Sequence, residues 1–176
     1  MPELPEVETV RRGLNEVTPK TTIEHVEVLY PRSIGAPSPD DFINGLEGLT
    51  FTTWLRRGKY LIAQLSALNH TKTAHHLGVH LRMSGQLLWV SQDEPLQKHT
   101  RVRLLLKKNQ ELRFVDQRTF GQMWWVPEGI EPAKIITGLQ KLGPEPFSDE
   151  FSVEYFQQRL KNRKRPIKNA LLDQST

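Results

Sequence analysis

The stretch VRLLLKKNQELRF, residues 102–114, decides the expected fold. Apolar side chains at every second position of 102–106 lie on one face of an extended strand. The polar turn 107–110 follows, and the alternation resumes over 112–114. Two alternating runs joined by a short polar turn predict an antiparallel β-hairpin.

Further strands are predicted on the same grounds. Strand-like runs occur at residues 26–30, 49–56, 60–65, 85–90 and 122–126. Six or seven short strands with alternating faces favour an antiparallel sandwich or barrel over a parallel sheet. We therefore predict a mixed α and β protein in which an antiparallel two-sheet β-sandwich occupies residues 1–130.

Two helices are expected within this region. Pro5 lies where a first helical turn accepts proline, and Val7, Val10 and Leu14 form one apolar stripe, which predicts an amino-terminal helix against the sandwich. A second short helix is predicted after Pro39-Asp40-Asp41, with Phe42, Ile43 and Leu46 inward and Gly48 as its end.

Residues 131–176 are predicted to be helical. Helices are expected over 132–142, 151–160 and 167–172. The helices of a bundle bury their apolar stripes against one another. Because these three are too few to cover their own stripes, we expect an incomplete helical domain.

The composition limits the class of protein and the chemistry available to it. The 176 residues are 37% hydrophobic and 25% charged, which is typical of a soluble globular chain. No apolar run approaches the roughly 20 residues of a membrane helix, and no secretory signal is visible after Met1, so a cytoplasmic location is expected. Cys is absent, which excludes disulfides, a thiolate nucleophile and Cys-ligated zinc within these residues.

Positive charge is concentrated in two clusters. The net charge is +4, and cations gather at residues 98–103 and 161–168. Either cluster alone favours a solvated face, whereas both together are compatible with a polyanionic ligand. His75, His76 and His80 resemble metal ligands in spacing, but no HExxH pattern accompanies them, and a structural role is favoured.

The amino terminus carries the one candidate for covalent chemistry. If Met1 is removed, Pro2 becomes a terminal secondary amine, and α-amines titrate near a pKa of about 7.7–8.0. Such an amine can attack the anomeric carbon of a sugar and form an iminium, with Glu3 as the neighbouring acid. The residues alone leave an unused terminus or a helix N-cap as the commoner alternative.

The opening MPELPEVETVRR closely resembles that of bacterial formamidopyrimidine-DNA glycosylases, repair enzymes that excise oxidised purines and nick the abasic site. The resemblance extends along essentially the whole chain. It includes RRGKYL at 56–61, HLRMSG at 80–85, DQRTFG at 116–121, LGPEP at 142–146 and residues 167–174. Leu4 and the Arg-x-Phe at 118–120 resemble this branch more than the endonuclease VIII branch, which acts on oxidised pyrimidines.

The resemblance implies roles at the amino terminus. Pro2 would attack the deoxyribose C1′ and form a Schiff base, and Glu3 would act as the general acid and base through β,δ-elimination. Glu6 would help to organise the site, although a carboxylate also suits a helix amino terminus. Lys59 would contact a phosphate near the lesion.

The resemblance also implies a set of DNA contacts. A damaged nucleotide must leave the duplex before its base is removed, and side chains must fill the space. Met83 would fill it, Phe120 would wedge between bases, and Arg118 would address the partner base, usually cytosine. Core packing is the alternative for Met83 and Phe120, but adjacent Ser-Gly and Gly turns favour exposure. The predicted phosphate contacts are His80, Lys98 and His99, and Lys168 matches a basic family position near the lesion that would also contact DNA.

The match departs from the family pattern in several places. The family continues with an Asn-bearing turn, further helices and a four-Cys zinc finger, so we expect an incomplete helix–two-turn–helix domain and no cofactor in this chain. Gln117 and Thr119 stand where Pro and Arg are common. The segment from Ser66 to Val79 is longer than the usual strand connection, and we expect a surface loop there.

The leading hypothesis is a bifunctional DNA glycosylase and abasic-site lyase for oxidised purines such as 8-oxoguanine and formamidopyrimidines. Its expected partner is double-stranded DNA containing such lesions or abasic sites. The protein is expected to act as a monomer near the nucleoid and not to bind a membrane. One alternative is an inactive truncated fragment that only binds DNA. Another is a β-sandwich that associates with itself or a partner through its unpaired helical stripes.

Overall fold

The computed structural model describes residues 1–67, 74–161, 164 and 166–173. Five α-helices and nine strands occur in these residues, with 3₁₀ turns at Pro31–Ser33 and Thr137–Lys141. The helices are α1 (Leu4–Val17), α2 (Pro39–Leu46), α3 (Pro132–Ile135), α4 (Val153–Leu160) and α5 (Ile167–Leu171). The strands are β1 (Ile23–Val28), β2 (Ile34–Ala36), β3 (Thr50–Arg57), β4 (Tyr60–Ser66), β5 (His75–His80), β6 (Gly85–Ser91), β7 (Thr100–Leu106), β8 (Gln110–Asp116) and β9 (Gln122–Val126).

The strands form two sheets that share one apolar core. One sheet has the order β1-β7-β8-β6 and is antiparallel throughout. The other has the order β2-β9-β5-β4-β3 and is antiparallel except where short β2 runs parallel to β9. The predicted two-sheet antiparallel sandwich and its 102–114 hairpin are confirmed, with more strands than the sequence indicated.

The expectation of a surface loop from Ser66 to Val79 is wrong over its last third. β5 lies between β4 and β9 in the five-stranded sheet, and its Leu77 and Val79 are fully buried. Gly78 faces the opposite side, where a Cβ would lie 2.3 Å from the Cδ1 of Ile136. Three histidines and a glycine in six residues conceal the apolar alternation. Residues 68–73 of the expected loop lie outside the described part of the chain.

Helix α1 is held on β3 by polar as well as apolar contacts. Val7 and Leu14 are buried, as the predicted stripe required. The Asn15 side chain donates to the Trp54 carbonyl (2.8 Å) and accepts from the Trp54 N–H (2.7 Å). The Trp54 indole N–H donates to Thr18 Oγ1 at 2.9 Å. A buried indole needs such a partner, so the last turns of α1 are fixed against the sheet.

The first of the carboxy-terminal helices is shorter than predicted. The single helix expected over 132–142 is α3 followed by a 3₁₀ turn, because the chain leaves helical geometry at Ile136 (ψ 74°). Ile136 is buried against Trp124 and Val126 of the five-stranded sheet. The domain boundary at residue 130 stays a prediction.

Helices α4 and α5 lie close to their predicted positions, and α4 begins at the Ser152 cap, whose Oγ accepts from the Tyr155 N–H. Several of their apolar side chains are exposed, as expected for helices that lack partners. The exposed set is Val153, Ile167, Leu171 and Leu172, with Phe147 before α4. Within the described residues, no helix is both long and apolar enough to cross a membrane.

His80, the last residue of β5, is a buried titratable group. Its side chain is packed edge-on against Tyr60, and only 6% of the residue is exposed. Its Nδ1 accepts from the Arg82 N–H at 3.0 Å, which requires the neutral ring. Burial, together with the nearby cations Arg82 and Lys59, lowers the pKa of His80 to about 4.

We expect stability to fall as His80 is protonated. The unfolded chain takes up this proton near pH 6.5 and the folded chain near pH 4, so stability is lost as pH falls between these values. The contribution lost is about 2 to 3 kcal/mol by pH 4.5. Urea unfolding at pH 7 and pH 4.5 measures it. His80→Asn keeps an acceptor for Arg82 but does not titrate, so its pH dependence should be shallower; parallel curves for the two proteins would contradict this assignment.

Candidate active site

The amino terminus brings an acid and a lysine into contact. Glu3 is the N-cap of α1, and its backbone N–H donates to Glu6 Oε2 at 3.0 Å. The Lys59 Nζ lies 2.5 Å from Glu3 Oε2, and only 10% of the Lys59 side chain is exposed. Pro2, directly before Glu3, is half-buried. The structure therefore brings together all four residues that the resemblance assigns to catalysis.

The tight turn between β3 and β4 orients the Lys59 side chain. Arg57 pairs with Tyr60 across the turn, which leaves Gly58 and Lys59 as its two central residues. Gly58 has φ 55°, a left-handed conformation that glycine adopts without a Cβ clash. The glycine thus allows the turn that points Lys59 back toward α1.

Glu145 fixes this turn from outside the sandwich. Its carboxylate accepts from Arg56 Nη2 (2.7 Å), Arg57 Nη1 (3.1 Å) and the Gly58 N–H (2.6 Å). Burial opposes its ionisation, but the hydrogen bonds from Arg56 and Gly58 outweigh burial and hold the pKa of Glu145 below its ordinary value. Sequence reasoning gave Glu145 no role, although it lies within the quoted LGPEP motif.

Glu8 ties the same turn to α1. It accepts from Arg11 and Arg12 on its own helix and from Arg56 Nε at 3.2 Å. The Arg11 hydrogen bond, against the opposing effect of burial, lowers the pKa of Glu8 to about 2. The sequence analysis missed Glu8 as well. Its spacing of three and four residues from two arginines was the available signal for an ion-pair network.

A cleft of about 410 Å³ opens beside the Glu3–Lys59 pair. One wall carries these two polar groups with Arg57, and the other is largely apolar and comes from the carboxy-terminal segments. The cleft is lined by Glu3, Leu4, Arg57, Gly58, Lys59, residues 142–146, Phe151, Phe156, Leu171, Leu172 and Asp173. Lys168 is exposed on α5, one turn before Leu171 and Leu172.

A second concavity, of about 520 Å³, also lies at the amino terminus. Met1 lines it together with residues that the resemblance assigns to base opening. Its lining is Met1, Arg32, Arg82, Met83, Thr119, Phe120 and Gln122. Since Met1 lines this concavity and Glu3 lines the cleft, Pro2 lies at the junction of the two.

The side chains predicted to fill an opened base pair are exposed. Met83 is 40% exposed and Phe120 is 54% exposed, so core packing, the alternative for both, is wrong. Arg118 is exposed, and its guanidinium carbon lies 5.1 Å from the centre of the Phe120 ring. Thr119 between them has φ 59°, which turns the two neighbouring side chains to the same side. Their contacts with DNA stay predictions.

The side chains predicted to contact phosphates differ in their exposure. His80 is buried, and with Nδ1 occupied by Arg82 only its Nε2–H remains as a donor. His99 is half-buried beside Arg101, whereas Lys98 is exposed. Of the 161–168 cluster, Asn162, Arg163 and Arg165 lie outside the described residues.

The histidine spacing does not build a metal site in the described residues. His75, His76 and His80 lie on strand β5, and no group of three or more potential ligands occurs among the residues searched. The four-Cys zinc finger that the resemblance implies for the family has no ligands in these 176 residues, which contain no Cys.

Comparison with known proteins agrees with the resemblance. The chain is 65% identical over 176 residues to the formamidopyrimidine-DNA glycosylase of Acaryochloris marina and 64% identical to that of a Nostoc species. Each alignment covers 99% of this chain and 62% of the relative, so the chain spans less than two thirds of the length of these relatives.

Solved structures match the fold over the same extent. Lactococcus lactis Fpg bound to DNA with an abasic site superposes with a TM-score of 0.86 at 31% identity, covering 99% of this chain and 61% of that one. The same protein bound to Fapy-dG DNA gives a TM-score of 0.85 at 32% identity, covering 98% and 62%.

The family model matches the part of the chain that holds most of the candidate site. It describes the formamidopyrimidine-DNA glycosylase N-terminal domain and covers residues 1–123. That range includes the Glu3–Lys59 pair and the loops of Met83 and Phe120. The chain therefore belongs to the formamidopyrimidine-DNA glycosylase family.

Proposed function

We propose that this chain is the catalytic amino-terminal part of a bifunctional DNA glycosylase and abasic-site lyase that removes oxidised purines from double-stranded DNA. The observation that carries the proposal is the contact between Glu3 and Lys59 directly beside Pro2. The two side chains can donate a proton, accept a proton and provide a positive charge next to Pro2, the potential nucleophile. The relatives crystallised with abasic-site and Fapy-dG DNA support the choice of substrate.

Catalysis requires that Met1 be removed beforehand. In the Met1–Pro2 peptide the proline nitrogen is an amide and has no lone pair to donate, whereas the freed secondary amine does. Met1 is exposed, which leaves this bond open to a peptidase. The Pro2 amine then attacks C1′ of the damaged nucleotide, and the electrons of the C1′–N9 bond leave with the base. The proton that the Pro2 amine loses on attack passes through Glu3 to the departing base.

Strand cleavage follows from the covalent intermediate. The sugar ring opens as O4′ takes a proton and C1′ becomes an iminium with Pro2. Loss of a C2′ proton then expels the 3′ phosphate, and loss of a C4′ proton expels the 5′ phosphate. Each step moves one proton, which the Glu3–Lys59 pair accepts or returns, while the Lys59 ammonium neutralises charge on a phosphate.

The concavity beside Pro2 accounts for access to the damaged base. Met83 and Phe120 present apolar surface that replaces lost base stacking, and the Arg118 guanidinium can donate to the edge of the unpaired partner base. Arg32 and Arg82 at its rim suit the phosphate backbone. We also propose that the protein acts on DNA as a monomer in the cytoplasm, at the nucleoid.

Covalent trapping tests the nucleophile. When the 176-residue protein, with Met1 removal verified by intact mass, is mixed with an abasic-site duplex and borohydride, we expect a stable adduct. Peptide mass analysis should place that adduct on Pro2. Pro2→Gly is a poor control because a terminal glycine amine also forms a Schiff base. Binding of the duplex without any adduct would support the inactive DNA-binding alternative instead.

Glu3→Gln tests the acid. Because an abasic site has already lost its base, we expect this change to slow excision of an oxidised purine by roughly 100-fold or more while affecting trapping less. Single-turnover release of the base and the yield of trapped adduct are the two measurements. Equal loss in both assays would contradict the assignment of Glu3 to base departure.

Lys59→Met tests the phosphate contact. A lysine that neutralises one phosphate contributes about 0.9 to the slope of log affinity against log salt, so the slope should become shallower by about that amount. The matched control is Lys107→Met, in the exposed β7–β8 turn, which should leave the slope unchanged. Titrations from low to moderate salt measure both; an unchanged slope in Lys59→Met would reject the contact.

A further inference from the structure

Asp116, the last residue of β8, is a buried carboxylate that the catalytic steps above do not use. The residue is 0% exposed, and no ion pair of the described residues involves it. Its Oδ1 accepts from Ser84 Oγ (2.5 Å) and the Arg118 N–H (3.2 Å). Its Oδ2 accepts from the Gly121 N–H at 2.7 Å. A buried charge is tolerated only when it is hydrogen-bonded in this way.

These hydrogen bonds join two loops that follow different strands. The first, residues 81–84 between β5 and β6, carries Met83; the second, residues 117–121 between β8 and β9, carries Arg118 and Phe120. Ser84 Oγ also accepts from the Arg118 N–H at 3.0 Å, so the hydroxyl and the carboxylate together bridge the loops. The loops adjoin paired strand ends, since His80 of β5 is paired with Gln122 of β9.

The backbone of Asp116 extends the same connection to a third segment. Its N–H donates to the His99 carbonyl at 2.9 Å, and its carbonyl accepts from Arg101 Nε at 2.8 Å. His99 follows Lys98 in one of the two basic clusters of the sequence. One residue therefore contacts both loops to which base opening is assigned and the segment that holds Lys98 and His99.

The two loops need an external restraint because their backbones are strained. Arg82 has φ 54° and Thr119 has φ 59°, and side chains other than glycine rarely adopt this left-handed conformation. Gly121 is packed so closely that a Cβ would lie 2.5 Å from Phe114 Cζ and 3.1 Å from Asp116 Oδ2. The carboxylate thus holds a conformation that the loops do not favour by themselves.

We infer that Asp116, bridged by Ser84, is a positioning residue that holds Met83, Arg118 and Phe120 as one rigid unit for filling an opened base pair. The inference rests on the proposed function. Its physical basis is that all three side chains must enter one space at the same time. Loops that moved independently would lose that geometry, whereas general attraction to phosphates would remain.

Two variants separate positioning from folding. In Asp116→Asn, the amide NH₂ must face either the Gly121 N–H or the Ser84–Arg118 donors, so one set of hydrogen bonds is lost. Ser84→Ala removes the bridge and leaves the Asp116–Gly121 bond in place. The control is Glu47→Gln. The Glu47 carboxylate accepts from the Val26 N–H, and the residue lines neither the cleft nor the concavity.

The probes are a duplex containing a tetrahydrofuran abasic analogue opposite cytosine and the undamaged duplex of the same sequence. The readout is the ratio of the two affinities, with thermal melting to verify folding. We expect this preference to fall about tenfold in Asp116→Asn and about threefold in Ser84→Ala, with undamaged binding unchanged. Glu47→Gln should keep the full preference.

Each other outcome has a distinct meaning. A wild-type chain with no preference for the analogue would overturn the proposed function itself. A wild-type preference that both variants retain would overturn the positioning role alone. Equal loss of affinity for both duplexes would assign Asp116 to folding only, which also overturns the inference. If Asp116→Asn fails to fold, Ser84→Ala decides the question.

Discussion

The candidate site depends on the Arg56 guanidinium, which bonds two carboxylates at once. Its Nη2 donates to Glu145 at 2.7 Å and its Nε to Glu8 at 3.2 Å. These three residues come from a segment beyond the sandwich, from the end of β3 and from the first helix. Because the Arg56 side chain is mostly buried, salt and water screen these pairs less than pairs on an open surface. The network holds the turn against α1, and Lys59 meets Glu3 as a result.

The cleft and the concavity both lie at the amino terminus. The cleft presents the Glu3–Lys59 pair, and the concavity presents the exposed side chains of Met83 and Phe120. Each side has its own carboxylate as an anchor, the half-buried Glu145 for the turn and the buried Asp116 for the loops. The five-stranded sheet carries both, because β3 and β4 end at the turn while β5 and β9 adjoin the loops. One sheet therefore fixes the distance between the turn and the two loops.

Local patterns predicted elements where one face is strongly apolar. The 102–114 hairpin, α1 and α2 were found because their alternation or helical stripe is clear within a few residues. β5 was missed because His75, His76 and Gly78 dilute its pattern, and only pairing with β4 and β9 makes it a strand. The helix expected over 132–142 was interrupted for a similar reason, since Ile136 leaves helical geometry and is buried against the sheet.

The sequence by itself determined the chemistry that is available: a proline behind the initiator Met, an adjacent carboxylate, a lysine after glycine, and an Arg-x-Phe pair before glycine. Its alternation, a local property of the chain, also indicated an antiparallel sandwich or barrel, and the pairing of the strands decided for two sheets. Only the tertiary structure decided that Lys59 contacts Glu3 and that Glu8, Glu145 and Asp116 hold the surrounding loops. Arg56 and Glu145 are separated by 89 positions, and no local pattern encodes a contact between groups that approach only when the sheets pack.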